Sequence, residues 1–192
     1  MWQKLTRWDR EGVSKHQSQW CVITGPPCCG KSTTVELLAR HGFRVRPEIA
    51  RDYIDQEISK GRTIQEIRSD AQAFQCEVLR RALIHDKALP EEEFIFFDRG
   101  IPDSIAYLML HGIDMTSDIE GLVEIPSYRR VFILDPLQNY EVDYARMETP
   151  EERDRIFQLL WEVYGNLKLP VERVPALSRE ERIKFILMRA TG

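Results

Sequence analysis

The sequence contains no apolar run long enough to cross a membrane. A membrane-spanning helix needs about 18 or more consecutive apolar residues, and no segment of the 192 residues approaches that length. Residues 1–19 are mostly polar and lack the apolar centre of a secretory signal peptide. We therefore expect a cytoplasmic protein without a membrane span.

Cysteine is scarce, with four copies in the chain. These four, Cys21, Cys28, Cys29 and Cys76, follow neither a disulfide framework nor the spacing of a zinc site. Reduced thiols are the simple interpretation, and they agree with a cytoplasmic location.

An excess of positive charge is also missing. Lys and Arg total 27 against 31 Asp and Glu, which gives a net charge of −4. Proteins that bind nucleic acid through its phosphates present a basic surface. The charge balance thus argues against a nucleic-acid partner and makes a polynucleotide kinase a weak alternative.

The most informative stretch is residues 20–40, which contains the pattern G-x-x-x-x-G-K-[ST] between an apolar strand and a helix. In that context the pattern predicts a phosphate-binding loop, because backbone N–H groups and the positive end of the helix converge on an anion. The candidate nucleotide-binding residues are Gly25, Pro26, Pro27, Cys28, Cys29, Gly30, Lys31, Ser32 and Thr33. We expect Lys31 to reach the terminal phosphates and Ser32 to hold Mg²⁺. ATP is the default nucleotide, and GTP remains open, although the chain has no N/T-K-x-D signal for guanine.

Strands and helices alternate along the rest of the chain. Strand patterns lie at residues 21–23, 43–45, 94–97, 131–134 and 171–174. Helix patterns lie at 33–41, 49–59 and 102–112, and after capping boxes that begin at Thr63, Thr149 and Ser178. The capping box at Thr63 is expected to open the longest helix. Residues 113–127 are expected to be loop with at most one helical turn. This order predicts a doubly wound α/β domain over residues 19–192, with a five-stranded parallel sheet. Residues 1–18 form an N-terminal arm that is either frayed or docked through its tryptophans.

Three charged residues fall where parallel strands end, which is where such sheets bind ligands. Asp98 closes an apolar strand and is a candidate Mg²⁺-associated carboxylate, although a helix N-cap before Pro102 is the alternative. Arg99 stands where many hydrolysing motors have a second acid, and a cation there suits an anionic substrate or the transferring phosphoryl group. Glu48 either binds or deprotonates an acceptor hydroxyl, or forms a solvated pair with Arg51.

Several segments together resemble one family of proteins. They are PEIAR at 47–51, FFDRGIPDSIAY at 96–107, Tyr140 with Asp143, Arg146 and Glu148, and VP followed by SREERIKFIL near the C-terminus. With the phosphate loop, this ordered set resembles the small AAA-like P-loop family that includes the nicotinamide riboside kinase domain of NadR. The resemblance covers about residues 19–190 and implies a P-loop NTPase fold of the nucleotide kinase type.

The resemblance implies an ATP- and Mg²⁺-dependent phosphoryl transfer to a small, nucleoside-like acceptor that carries a hydroxyl. Lys31 and Ser32 would hold phosphate and metal, Asp98 would assist the metal or act as base, and Glu48 would hold the acceptor. The alternative is a regulatory nucleotide switch for ATP or GTP that hydrolyses slowly.

The resemblance also implies roles for two arginines and marks one departure. Arg146 would belong to a lid at about residues 136–155, or else be a solvated side chain. Arg182 would lie beside the nucleotide base, or else on the surface. Relatives tend to carry Gly where this chain has Cys28, so the loop is expected to be strained there. Cys28 and Cys29 are either reactive thiols at a helix N-terminus or small buried fillers.

Overall fold

The sheet that the alternation predicts is present, and it has five parallel strands. The structure is a computed structural model that describes residues 13–115, 117–120, 123–137 and 149–192. The strands are β1 (Val13–Gln17), β2 (Trp20–Thr24), β3 (Arg44–Arg46), β4 (Ile95–Asp98), β5 (Ile125–Ser127), β6 (Arg130–Leu134) and β7 (Val171–Val174). The helices are α1 (Lys31–Arg40), α2 (Ile49–Ser59), α3 (Ile64–Arg68), α4 (Ala71–Lys87), α5 (Ile101–His111), α6 (Ser117–Glu120), α7 (Pro150–Asn166) and α8 (Arg179–Ala190). Within these described ranges, no helix has both the length and the apolar character needed to span a bilayer.

Strand β2 lies at the centre of this sheet, whose strand order is β3-β4-β2-β6-β7. Each neighbouring pair is parallel, so all five carboxyl ends meet at one edge. The register places Ile23 of β2 opposite Asp98 of β4. Asp98 therefore ends its strand directly beside the phosphate loop that follows β2.

Alternate residues of β2 face two separate apolar cores. Trp20 and Val22 lie in a core shared with α4, α5 and α7, whereas Cys21 and Ile23 lie in a core shared with α1 and α8. This separation follows from the two-residue period of a strand. All five residues of β2 are buried, as expected for a strand covered on both faces. The sheet is thus doubly wound, as predicted.

The three predicted capping boxes are all present, at Thr63 with Glu66, Thr149 with Glu152 and Ser178 with Glu181. However, the prediction that Thr63 opens the longest helix is wrong. Thr63 opens only the short helix α3, and the backbone of Asp70 is extended, with φ −111° and ψ 98°. The Asp70 side chain then caps α4 by accepting from the Ala73 N–H at 2.9 Å. The apolar period continues through this break, which is why the sequence suggested one helix.

The described part of the N-terminal arm, from residue 13, is not frayed but forms a strand. Strand β1 pairs in parallel with β5, and Val13 lies opposite Ile125. The Ser18 N–H then donates to the Ser127 carbonyl at 2.9 Å. Both strands fall in segments predicted as arm and loop, because β1 is mostly polar and β5 has only three residues. The arm tryptophans Trp2 and Trp8 lie outside the described residues.

The phosphate loop contains the backbone strain expected at Cys28, whose φ is 60°. A non-glycine residue in this left-handed region costs on the order of 1 kcal/mol. Cys28 and its neighbour Cys29 are both buried, and burial raises the pKa of the Cys29 thiol. The location of Cys29 therefore agrees with a small buried filler rather than a reactive thiol.

Glycine is usually less stabilising than alanine in a folded protein. The strain at Cys28 predicts the opposite order at this position. We expect Cys28→Gly to be more stable than Cys28→Ala by about 1 kcal/mol, because only glycine tolerates the left-handed backbone without cost. Cys29 is not among the residues with positive φ, so Cys29→Gly should be less stable than Cys29→Ala by about 0.5–1 kcal/mol. Denaturant unfolding of the four variants measures both differences. If the glycine variant were less stable than the alanine variant at both positions, the strain at Cys28 would not limit stability.

Candidate active site

Lys31, Asp98 and Glu48 meet at the carboxyl edge of the sheet. The Lys31 ammonium forms a close salt bridge with Asp98 Oδ1 and lies 3.6 Å from Glu48 Oε2. The Lys31 side chain is only 4% exposed, and its charge is therefore balanced by these carboxylates rather than by water. The structure thus brings together three of the residues predicted to form the site.

Two of the alternative interpretations are wrong. The residue before α5 is Gly100, and its backbone is capped by Asp103, so Asp98 is not the helix cap. Glu48 is mostly buried and accepts from the Arg99 Nε–H at 2.8 Å, so its carboxylate is not solvated, and Arg51 is a further nearby cation.

Arg99 extends this row of charges towards α5. Its Nη1 lies 3.1 Å from Asp103 Oδ1 and 3.4 Å from the carbonyl of Gly25, the first glycine of the phosphate loop. The guanidinium also stacks over the Tyr107 ring, with 5.3 Å between its carbon and the ring centroid. Arg99 therefore contacts the phosphate loop and Glu48 together, although its φ of 69° is unfavourable for a non-glycine residue.

The charges around Glu48 determine its protonation. Burial alone would raise the pKa of Glu48, but Lys31 and Arg99 together hold it well below its ordinary value. For Arg99, burial opposes the charge, while Tyr107, Glu48 and Asp103 keep its pKa well above the usual range. Both side chains are therefore ionised throughout the physiological pH range.

Asp103 is a site residue that the sequence reasoning missed. Only 2% of it is exposed. Its carboxylate accepts from Thr24, Arg99, Gly100 and Tyr164. The available signal was its place in the first turn of a predicted helix, four residues after Arg99. Its partners Thr24 and Tyr164 are too distant in sequence to be found in this way.

A second buried ion pair supports the end of β4. Arg46 Nε lies 3.0 Å from Asp86 Oδ1, and Arg46 Nη1 donates to the Asp98 backbone carbonyl at 3.3 Å. Arg46 also lies over the Phe97 ring, 4.8 Å from its centroid. Burial raises the pKa of Asp86 in spite of Arg46. This pair joins β3, β4 and α4 behind the row of charges.

A cavity of about 230 Å³ opens beside the phosphate loop. Its polar end is formed by Lys31, Glu48, Arg99 and Asp103, and its apolar wall by Ile54, Phe74, Val78, Ala82 and Tyr107. Gln75 of α4, Arg51 and Arg68 also line it, and Glu152 reaches it from the first turn of α7. Drug-sized ligand pockets span roughly 300–1,000 Å³, so this cavity suits a compact ligand with one polar and one flat apolar end.

The structure places Arg182 beneath the phosphate loop. It is 4% exposed, and its Nη1 donates to the carbonyls of Cys29 and Gly30 at 3.3 Å. Gly30 has a φ of 78°, and a Cβ on it would lie 2.3 Å from this nitrogen, so both the backbone conformation and the contact favour glycine there. The surface alternative for Arg182 is therefore wrong, and its place beside a nucleotide base stays a prediction. Arg146 and most of the predicted lid lie outside the described residues.

The oxygen donors near the loop suit Mg²⁺. Asp98 provides a carboxylate, and Ser32 provides a hydroxyl in the first turn of α1. Across the parts of the chain that the structure describes, no three or more His, Cys, Asp or Glu form a metal-binding cluster. Mg²⁺ is usually held by one or two protein oxygens together with substrate phosphates and water. These residues therefore fit a magnesium ion that arrives with a nucleotide.

Three solved structures have a similar fold. Deoxyadenosine kinase from M. mycoides has a TM-score of 0.65 at 18% identity, over 90% of this chain and 98% of the kinase. Thymidylate kinase from Ehrlichia chaffeensis has a TM-score of 0.62 at 16% identity, over 92% of this chain and 100% of the kinase. NadR in complex with NR has a TM-score of 0.66 at 19% identity, over 91% of this chain and 52% of NadR. The chain thus spans about half the length of NadR.

At these identities the comparisons show the fold, which is that of P-loop nucleotide kinases. No curated protein matches the chain by sequence. A family profile described as an AAA domain does match, over residues 20–182. This match runs from the first residue of β2 to the arginine beneath the phosphate loop, and the chain therefore belongs to the AAA_28 family of P-loop proteins.

Proposed function

We propose that the protein transfers the terminal phosphoryl group of ATP, with Mg²⁺, to a hydroxyl of a nucleoside-like acceptor. The observation that carries the proposal is the ionised Glu48 carboxylate, which lies between Lys31 and Arg99 at the polar end of a compact cavity. A carboxylate beside a phosphate loop is placed to receive a hydroxyl proton. The kinase fold of the chain supports the same class of reaction.

On the nucleotide side, the loop N–H groups and Lys31 bind the phosphates. Lys31 must then turn from Asp98 and Glu48 towards the new anion. Ser32 and the released Asp98 are the residues that would hold Mg²⁺, which neutralises charge on the phosphates when it is bound. Arg182 stiffens the loop from below, because it donates to two of the loop carbonyls.

On the acceptor side, Glu48 is placed to accept from a free hydroxyl of the ligand. Glu48 and Asp103 line this end of the cavity together with Lys31 and Arg99, so that its charges are paired. The flat apolar wall that includes Phe74 and Tyr107 is suited to a base or a nicotinamide ring. A nucleoside, which has both a hydroxyl and a flat base, meets these requirements better than a sugar.

In the transfer itself, the acceptor oxygen attacks the terminal phosphorus and the bond to the bridging oxygen breaks, so that ADP leaves. The hydroxyl proton passes to Glu48. The departure of Lys31 towards the phosphates removes the strongest of the nearby cations that lower the pKa of Glu48, so Glu48 becomes a better base once nucleotide is bound. Arg99 stabilises the charge on the transferring group.

The domain organisation proposed from the sequence assigns a lid to about residues 136–155, with Arg146 closing on the phosphates. The first turn of α7, which contributes Glu152 to the cavity wall, belongs to that range. Closure would exclude water, so that the acceptor rather than water receives the phosphoryl group.

The first prediction concerns Lys31. Lys31→Ala should abolish detectable Mg-ATP binding or turnover and leave the protein folded, because the loop loses its phosphate-binding ammonium. Isothermal titration with Mg-ATP measures binding, and circular dichroism checks the fold. Lys60→Ala, which removes an exposed lysine on the far end of α2, is the matched control. Unchanged affinity and turnover in folded Lys31→Ala would contradict the assignment of the nucleotide site.

The second prediction concerns the acceptor. ATP hydrolysis alone should be slow, and a suitable ribonucleoside such as nicotinamide riboside should convert it into rapid formation of a phosphorylated product. Glu48→Gln and Asp98→Asn should each lower product formation by roughly a hundredfold or more, the usual scale for losing a base or an electrostatic partner. ATP consumption against a panel of nucleosides, sugars and nucleotides, with mass spectrometry of the products, measures this.

Glu57→Gln is the control for Glu48→Gln, since it makes the same change near the other end of α2, at a residue paired with Lys60 and Arg62. It should retain wild-type product formation. If no acceptor gives product and nucleotide state only changes protection of the lid or binding of a partner, the kinase proposal fails. The regulatory switch would then replace it.

A further inference from the structure

We propose that Asp103 is a positioning residue that orients Arg99 at the acceptor side of the site and connects Arg99 to α7. This inference rests on the proposed function, in which Arg99 stabilises the transferring phosphoryl group.

The two oxygens of the Asp103 carboxylate have different partners. Oδ2 accepts from the Gly100 N–H at 2.9 Å and from the Tyr164 hydroxyl at 2.6 Å. Oδ1 accepts from the Thr24 hydroxyl and from Arg99 Nη1 at 3.1 Å. These hydrogen bonds are shielded from water, because Asp103 is almost completely buried.

A helix cap explains only half of this arrangement. Capping α5 needs the bond from the Gly100 N–H to Oδ2. Oδ1 instead faces the strand that leads into the phosphate loop, because Thr24 precedes Gly25, and the Gly25 carbonyl also accepts from Arg99. The second oxygen therefore holds Arg99 against the loop.

Arg99 depends on such support. Its backbone is in the left-handed region, a strained conformation that persists only where several contacts maintain it. Its N–H donates to the Ile23 carbonyl at 3.1 Å, and its side chain bonds to Glu48 and Asp103. Without Asp103, Arg99 Nη1 would lose its carboxylate partner and keep only the longer bond to the Gly25 carbonyl, at 3.4 Å.

The same carboxylate also connects the site to α7. Tyr164 lies near the C-terminal end of α7, and Glu152 in the first turn of that helix lines the cavity. Burial and the neighbouring Asp103 raise the pKa of Tyr164 well above its ordinary value, so its hydroxyl keeps the proton that it donates. The placement of α7 and the orientation of Arg99 thus share one hydrogen-bonded group.

The test substitutes Asp103 by Asn. The Asn carbonyl can still accept from Gly100 and Tyr164, so the cap survives. Its amide would face Arg99 and Thr24, and an amide N–H₂ cannot accept from a guanidinium. With the best acceptor of the panel, we expect kcat to fall roughly tenfold to a hundredfold, the range for losing a group that orients a functional side chain. The KM for ATP should change by less than about threefold, because the loop itself is intact.

Two comparisons separate positioning from a merely structural role. Asp70→Asn makes the same chemical change at the exposed cap of α4, and its kcat should stay at the wild-type value. If Asp103 acts through Arg99, Asp103→Asn should lower kcat by less than about twofold in an Arg99→Ala background. Independent, multiplying effects of the two substitutions would overturn the proposal.

A measurement without acceptor keeps this inference distinct from the proposed function. The Arg99 Nε–H, assigned by its loss in Arg99→Lys, is buried against Glu48. Its NMR signal should exchange with water at least about tenfold faster in Asp103→Asn. Lack of product from the wild-type protein would refute the kinase, whereas unchanged exchange would refute the positioning role. If Asp103→Asn fails to fold, Tyr164→Phe is the second variant, because it removes one hydrogen bond to the same carboxylate. It should change kcat and the exchange rate in the same direction by smaller amounts. No change in either quantity would again refute the positioning role.

Discussion

The site depends on a row of alternating charges that are removed from water. Lys31, Asp98, Glu48, Arg99 and Asp103 each have a neighbour of opposite sign. Burying an unpaired charge costs several kcal/mol, whereas a paired and hydrogen-bonded charge is tolerated. Because these residues come from α1, the end of β4, the start of α2 and α5, their pairing holds four elements in one arrangement around the phosphate loop.

The same row explains how substrate binding and chemistry would be linked in the proposed kinase. A polyphosphate competes with two carboxylates for Lys31, so nucleotide binding must break an existing salt bridge. The released Asp98 is then available for magnesium, and Glu48 loses one of its neighbouring cations while it keeps its bond to Arg99. Each step replaces one charge pair by another, which keeps the buried charges balanced throughout. A nucleotide that binds without an acceptor would leave Glu48 without the hydroxyl it is placed to receive.

Much of the fold could be predicted because its signals are local. The period of apolar residues located the five strands of the main sheet to within one residue, and the Ser/Thr-x-x-Glu pattern located three helix starts. The wrong predictions concern features that the local sequence pattern does not show. Strands β1 and β5 have little apolar character of their own and exist because they pair with each other. The break at Asp70 interrupts an apolar period that the sequence alone continues across.

The sequence by itself determined the phosphate loop, its lysine and serine, and the acidic residues that end two strands, since each depends on residues close together in the chain. Only the tertiary structure decided which of those groups pair. The contact of Tyr164 with Asp103 spans 61 residues, and that of Arg182 with Thr34 spans 148. Asp103 lies near the start of α5, and Arg182 lies near the start of α8. In the sequence, such residues look the same whether they face solvent or a buried site. Their roles emerge when the packing of α7 and α8 on the sheet brings distant partners within hydrogen-bond distance.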